Sequence, residues 1–445
     1  MARLLNILGV TFGLAVAIGN TIGAGILAEP GYVASLLRTP ALFIGVWVIG
    51  ALYALLGVNA LAELGTMLPR AGAQYVYARH AFGDYAGFVV GWLDWISTCA
   101  STAAISFVIG QSVETLVPTL RAKPLAMATV IVFTLLLLRS TRVGGRSQII
   151  TSLFKTVALF VFIAACFIFG GHAAVPVPEA KAVAGTSLFA GFVLSAQAVI
   201  YTYDGWSGPV YFSEELRDPG RQIPRSMFGA LFAVAAIYLL INLAFLYVLP
   251  LSAMAGSPLA AAQVATAIFG PRGGTVVQLV VILALPSAVN ACLLMSSRVL
   301  FAVSRDGIGP RVATRVNEGG SPTIALIASG AVSLIFLASG SFNSVIAVAA
   351  FFFVADYALS FLAVFVLRHR EPNRARPYRA FGHPWTTGLV LVGSVAFLVS
   401  AVASDTKNSL WALGILVISY PTFMLTHRRQ GRVEGEVSET LTADR

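Results

Sequence analysis

Two short segments carry residues that an apolar helix of membrane length does not ordinarily contain. Gly19-Asn20-Thr21-Ile22-Gly23-Ala24-Gly25-Ile26 brackets Ala24 with two glycines inside an apolar run, and Tyr203-Asp204-Gly205-Trp206-Ser207-Gly208-Pro209 sets an acid, two glycines and a proline inside another. Proline removes a backbone donor and disrupts the turn before it, and glycine lets the chain leave helical geometry. Both segments can therefore unwind and bare their backbone. Amides at a half-helix N-terminus attract a carboxylate, while freed carbonyls receive a cation or an ammonium. A zwitterion with both groups on one carbon fits such a pair of ends. A plainer reading of the first segment is a small-residue face for close helix packing. The plainer reading of Asp204 is a hydrogen-bond partner for the broken backbone rather than a contact to substrate or coupling ion.

Three further polar sites stand in apolar surroundings. Lys155 lies in Ser152-Leu153-Phe154-Lys155 with apolar residues continuing beyond it. A buried lysine that gives up its proton is a candidate coupling switch, and the alternative is snorkelling toward the interface near Arg146. Pro286, Ser287 and Asn290 put a kink and two polar groups on a later helix, either completing a polar site or bonding between helices. Glu63 and Arg298, near the inside ends of their spans, are expected in a gate or ion-pair network rather than in substrate recognition.

The elements that position these residues follow from composition. Of 445 residues, 58% are apolar and only 11% charged, with mean hydropathy +0.84 and 41 glycines. Ordinary soluble domains carry roughly 25% charged residues, so a soluble single-core protein is excluded. Apolar windows long enough for a hydrocarbon core of about 30 Å occur at 11–36, 40–68, 85–116, 124–138, 148–170, 187–212, 227–250, 276–303, 322–339, 343–367, 386–403 and 409–426. This predicts an all-α multi-pass membrane protein of twelve spans. The breaks fall in spans one and six, five spans apart, as an inverted repeat of five plus five helices requires, with two extra helices after it. The expected divisions are an N-terminus at 1–10, a first repeat at 11–170, a second at 187–367, the last two helices at 386–426 and a disordered tail at 427–445.

The +10 formal charge and pI near 9.8 would suggest nucleic acid if the basic residues shared one soluble face. They alternate between loops instead. With the N-terminus inside, outside loops hold only Arg38, Arg121, Lys123, Lys181, Arg272 and Lys407, Lys155 and Arg298 lie within spans, and the rest of the 29 Lys and Arg fall inside. Both termini are thus expected on the cytoplasmic face of a cell membrane, plasma or bacterial inner. The basic stretch Arg368 to Arg379 reads as a topological anchor. No nucleic-acid role follows, and the lack of any Asn-x-Ser/Thr acceptor favours an unglycosylated setting.

Cys99, Cys166 and Cys292 all sit in apolar runs, so neither a disulfide framework nor a paired-cysteine metal site is available. No His-Glu-x-x-His or phosphate-loop motif is present, and His80, His172, His369, His383 and His427 lie at loops or ends. An intramembrane enzyme has no nucleophile or metal constellation to work with, and no cofactor is implied. A channel or sensing receptor of the same architecture is the remaining rival, separable by saturable uptake and exchange.

Four blocks in order carry a resemblance over almost the whole chain. They are Ile18-Gly19-x-x-Ile22-Gly23-Ala24-Gly25-Ile26; Ala62-Glu63-Leu64-Gly65 with Pro69-Arg70-Ala71-Gly72-Ala73-Gln74-Tyr75-Val76-Tyr77; Tyr203-Asp204-Gly205-Trp206 with Ser213-Glu214-Glu215-Leu216 and Pro219-Gly220-Arg221-Gln222-Ile223-Pro224-Arg225; and Ser297-Arg298-Val299-Leu300-Phe301-Ala302 with Arg305-Asp306-Gly307. The chain resembles the amino acid, polyamine and organocation transporter superfamily, and within it the L-type amino acid transporter branch. The resemblance implies substrate held between spans one and six of the inverted repeat. Backbone amides of Thr21, Ile22, Gly23, Ala24, Gly25 and Ile26 would bind its carboxylate, and carbonyls of Tyr201, Thr202 and Tyr203, together with those of the first span, its α-amino group. The Tyr201 ring would act as an aromatic lid and Trp206 would line the site near Gly205, both with ordinary aromatic packing as the alternative. Asp204 could favour a second positive charge on the substrate. Lys155 would stand where sodium binds in sodium-coupled relatives, tying the first span to the eighth, with Ser287 beside it. These features imply sodium-independent amino acid transport by alternating access, as exchange or proton symport, and leave a cationic amino acid or polyamine antiporter as the alternative. Animal members that join a glycoprotein subunit do so through a cysteine after span three, but Leu116 to Pro124 contains none, so no disulfide-linked partner is expected.

Overall fold

The computed structural model describes residues 4–172, 187–257, 259–339, 342–404, 407 and 409–424. The expected tail at 427–445 and the first three residues of the N-terminus lie outside these. Among the described residues there is no β-strand, only isolated bridges between Leu8 and Leu216 and between Val316 and Pro322.

The chain begins with two half-helices, α1 (Val10–Thr21) and α2 (Gly25–Leu36), bent 43° from one another. There follow α3 (Pro40–Met67), α4 (Gln74–Phe82), α5 (Asp84–Leu116), α6 (Ala122–Arg139) and α7 (Thr141–Phe169). Next come α8 (Leu188–Thr202), a 3-10 turn at Gly208–Phe212, α9 (Pro219–Val248), α10 (Leu251–Met254), α11 (Ala260–Phe269) and α12 (Gly273–Ala284). The series closes with α13 (Pro286–Arg305), α14 (Thr323–Ser339), α15 (Phe342–Arg370), α16 (Trp385–Ser404) and α17 (Ser409–Met424).

By length and composition eight helical stretches among the described residues could cross a membrane, or nine if the α1–α2 pair is one span, while α8, α14 and α17 are apolar but shorter. The expected window at 276–303 is interrupted at Leu285, just before Pro286, and the window at 187–212 is α-helical only to Thr202. In each case proline or glycine stops the ladder where the composition alone runs on.

Boundaries between helices are written in capping residues. Thr39, Ser140, Ser187 and Asp218 each accept a hydrogen bond from a backbone amide of the first turn, and Pro40 and Pro219 occupy first helical positions. Inside the helices, hydroxyls are satisfied by the carbonyl four residues back, as with Thr66 on Ala62 and Thr102 on Thr98.

Helix α13 is buried on every side from Ser287 to Ser304 and packs against α5, α14, α1 and α7. Around this centre, α3 and α1 both lie against α9, and α5 also meets α15 and α6. The periphery is apolar: Leu153, Phe154, Val161 and Ile168 of α7 and Leu389, Val392 and Val399 of α16 are exposed. In water such a belt would be strongly unfavourable, and against lipid it is the required surface. The fold is that of a multi-pass membrane protein.

Candidate functional site

The ladder of α1 ends with the Ile22 amide on the Ile18 carbonyl, and α2 starts again at Gly25. The opening amides of a helix have no intrahelical acceptor, so Gly23, Ala24, Gly25 and Ile26 present their N–H groups at the break. The second break follows Thr202. Gly205 there has φ +117, and a Cβ on it would stand 2.6 Å from the Thr21 amide nitrogen. Only glycine takes that backbone conformation without strain and allows the two broken segments to touch.

Carbonyls freed at the breaks are met by three side chains. The Lys155 ammonium of α7 donates to the Gly19 carbonyl at 2.7 Å and to the Ile22 carbonyl, and the residue is fully buried. Ser287, at the start of α13, places its hydroxyl 3.5 Å from the same Gly19 oxygen. The Tyr238 hydroxyl of α9 lies within donating distance of the Thr21 carbonyl (2.8 Å) and the Thr202 carbonyl (3.0 Å), bridging both breaks. Higher on α1, Gln148 and Ser152 donate to Ala15, and Asn290 of α13 donates to Gln148 at 2.7 Å. Lys155 is therefore inside the bundle against α1, and not at an interface.

A cavity of about 820 Å³, its mouth included, opens between these breaks and α5, α13 and α15. Asn20, Thr21, Gly23 and Gly25 form one wall, Tyr201, Thr202 and Asp204 a second, and Thr98, Ser101 and Tyr357 stand opposite. The Tyr357 hydroxyl donates to Asp204 at 2.7 Å and contacts Ser207 at 3.0 Å. Tyr201 lines both this cavity and a smaller one, as do Asp204, Phe353 and Tyr357.

Not every expected residue meets the cavity with its side chain. Trp206 stacks on Tyr357, ring centroids 4.9 Å apart, and lines only the smaller cavity. The Tyr203 ring is buried against Trp47 and Tyr238. Ile22 and Ile26 point into the core, which leaves their backbone as the part available at the break. Residues absent from the sequence reading include Tyr238, Tyr211, Tyr357, Asp94 and Asp356. The two acids carry the same signal as Asp204, a carboxyl within an apolar span. Among the described residues no group of three or more His, Cys, Asp or Glu could hold a metal ion.

One end of the bundle is closed by ion pairs. Arg298 donates twice to Glu215, both fully buried, while Arg305 reaches Glu214 at 2.6 Å and Arg79 reaches Asp306 at 3.0 Å. Glu63 accepts from Arg368 and from the Ala380 amide. Arg370 donates to the Ala81 carbonyl, so α5 begins and α15 ends at this same arginine-rich end. At 1.5 Å per residue, the cavity residues Thr98 to Ile105 of α5 lie roughly 20–30 Å from that end. The cavity thus runs from the breaks toward the opposite end.

A family model described as amino acid permease matches residues 8–420. The chain belongs to the amino acid permease family. The permease is 27% identical over 420 residues to the serine/threonine exchanger SteT of Bacillus subtilis (strain 168), a match covering 92% of the chain and 94% of that relative. It is 26% identical to the b(0,+)-type amino acid transporter 1 of Mus musculus, over 88% of the chain and 82% of the relative. With the Asc-type amino acid transporter 1 of Mus musculus it shares 28% identity, over 84% of the chain and 72% of the relative. The permease is thus a transporter and not an enzyme.

Proposed function

We propose that the permease moves amino acids across a cell membrane by alternating access, as a secondary active transporter independent of sodium. The observation that carries this reading is the convergence of Lys155 and Ser287 on the carbonyl end of α1, while Gly23 and Gly25 at the break line the cavity. The amide end suits a carboxylate and the carbonyls of Tyr201, Thr202 and Tyr203 suit an α-ammonium. The lysine ammonium occupies carbonyl oxygens that could otherwise hold a monovalent cation, which removes the need for sodium. Trp206 and Gly205 shape the second break, and Ala24 and Thr21 the first.

In this reading α1 with α2, and α8 with its following turn, are the first and sixth of twelve spans, related as inverted five-helix repeats at 11–170 and 187–367. Both termini and the arginine-rich end are cytoplasmic, so the cavity opens outward with the inner gate shut. The permease works without a disulfide-linked subunit, because Leu116 to Pro124 has no cysteine. Relatives that are exchangers or amino acid transporters by name support the substrate class. A second reading, transport of cationic amino acids or polyamines, is favoured by Asp204 on the cavity wall.

Counterflow in proteoliposomes tests the proposal. Labelled neutral amino acids should enter only against internal amino acid or a proton gradient, with no sodium requirement. Strict sodium dependence would reject the Lys155 role, preference for arginine or diamines would select the second reading, and no saturable flux would reject the carrier.

A further inference from the structure

Two acids are buried next to residues of the cavity wall, Asp94 through Thr98 and Tyr211 and Asp356 beside Tyr357 in sequence, and among the described residues neither is paired with a cation. Asp94 of α5 is 1% exposed and Asp356 of α15 is 2% exposed. One oxygen of Asp94 accepts from the Tyr211 hydroxyl at 2.9 Å and from Thr98 at 3.2 Å, both cavity residues, while its other oxygen has no hydrogen-bond partner. Asp356 Oδ1 is likewise buried and unpartnered, as is the hydroxyl of Ser360 one turn further along α15. The two acids lie within electrostatic reach of each other and of Asp204.

Among the described residues no basic group is hydrogen-bonded or ion-paired to either acid. The titratable groups that act on this cluster are Asp204, Tyr211, Tyr357 and Cys292. On the elements packed against α5 and α15, Arg79 is paired with Asp84 and Asp306, Arg298 with Glu215, Arg305 with Glu214, Arg368 with Glu63, and Lys123 with the Ala338 carbonyl. His80 is paired with Glu371, and Arg139 and Arg370 lie at helix ends, while α12, α14 and α16 carry no charge. Two carboxylates buried together without a counter-cation cannot both stay ionised. Both acids are acceptor-only when ionised, and one proton taken up between them removes one of the two buried charges.

We propose that Asp94 and Asp356 hold one exchangeable proton and form the proton-binding site of the permease. This rests on the transport reading above and gives it a driving ion. A proton from the outer solution forms one O–H bond on the pair, and the same bond breaks toward the inner solution after the gate reverses, with no electron moved. Tyr211 links the pair to substrate, because it donates to Asp94 from the turn that follows the second break.

The test uses the full chain in proteoliposomes under an inward pH gradient of one unit, with substrate counterflow measured alongside. One coupled proton multiplies accumulation by about tenfold. Wild type should show this, with acidification of an entrapped dye, whereas Asp356→Asn and Asp94→Asn should lose the gradient response while counterflow stays measurable. Wild-type counterflow without a gradient response, variants that still accumulate, or a sodium gradient replacing the proton gradient would each overturn the assignment. If no counterflow is seen, the transport reading fails, and the infrared carboxylic acid band decides the proton site by itself. That band should be present in detergent-solubilised wild type at neutral pH and reduced in either variant; an unchanged spectrum overturns it.

Discussion

The ammonium of Lys155 stands 2.7 Å from the carbonyl oxygen of Gly19, at the point where α1 stops being a helix. Lys155→Met would leave the Ile22 carbonyl without its donor and the Gly19 carbonyl with only the Ser287 hydroxyl at 3.5 Å. An unmet buried acceptor costs about 1–3 kcal/mol, so counterflow should fall by about tenfold or more at normal protein abundance. Added sodium that restored flux in this variant would show a latent cation site at those oxygens.

Two glycines at the breaks should respond in opposite ways. Gly205→Ala forces a left-handed residue and a Cβ against the Thr21 amide, with a conformational cost alone of about 1–2 kcal/mol. A lower Tm in detergent should accompany lost flux. At Gly23 an added Cβ meets nothing within 4 Å, so Gly23→Ala should keep its Tm and raise KM, because the methyl group enters the space meant for the substrate carboxylate.

How much of this was legible in the chain depends on where each signal is held. The breaks and Lys155 declare themselves locally, since glycine, proline or charge interrupts an apolar run. Tyr238 does not, because an aromatic in an apolar span looks like packing until α9 is laid against α1 and the hydroxyl is seen to reach both breaks. Asp94 and Asp356 were visible singly as intramembrane acids, but their nearness is a product of α5 packing on α15 across a long stretch of sequence. Trp206 shows the converse: its neighbours in sequence reach the main cavity, yet its own ring is turned behind Tyr357.

The closed end should depend on a buried pair. Arg298→Met leaves Glu215 as an uncompensated buried charge, a loss of about 3–5 kcal/mol. The double variant Arg298→Met with Glu215→Gln should recover most of the thermal stability, as followed by unfolding in detergent. Equal Tm for the single and double variants would mean that packing of Arg298 over the Phe212 ring outweighs the ion pair.

Glu371 offers a pH dependence at the same end. Hydrogen bonds from Arg374 and His80 hold its carboxyl below the ordinary carboxylate range. A lowered carboxyl stabilises the fold above its unfolded value of about 4.3 and loses that contribution as pH falls through the folded value. The Tm difference between wild type and Glu371→Gln should therefore be steady from neutral pH to about 5, then shrink. The pair is open to water, so the effect should stay under about 1 kcal/mol.

The Tyr238 hydroxyl has two carbonyls in reach and a single hydrogen to give. At any instant one of Thr21 and Thr202 is served and the other is left hungry. Among the described residues no other side chain donates to either oxygen, so the two breaks share one donor between them. On the proposed reading, an incoming ammonium carries three hydrogens, enough to serve both oxygens and release the tyrosine, so the cargo would complete a bonding pattern that the empty site leaves open.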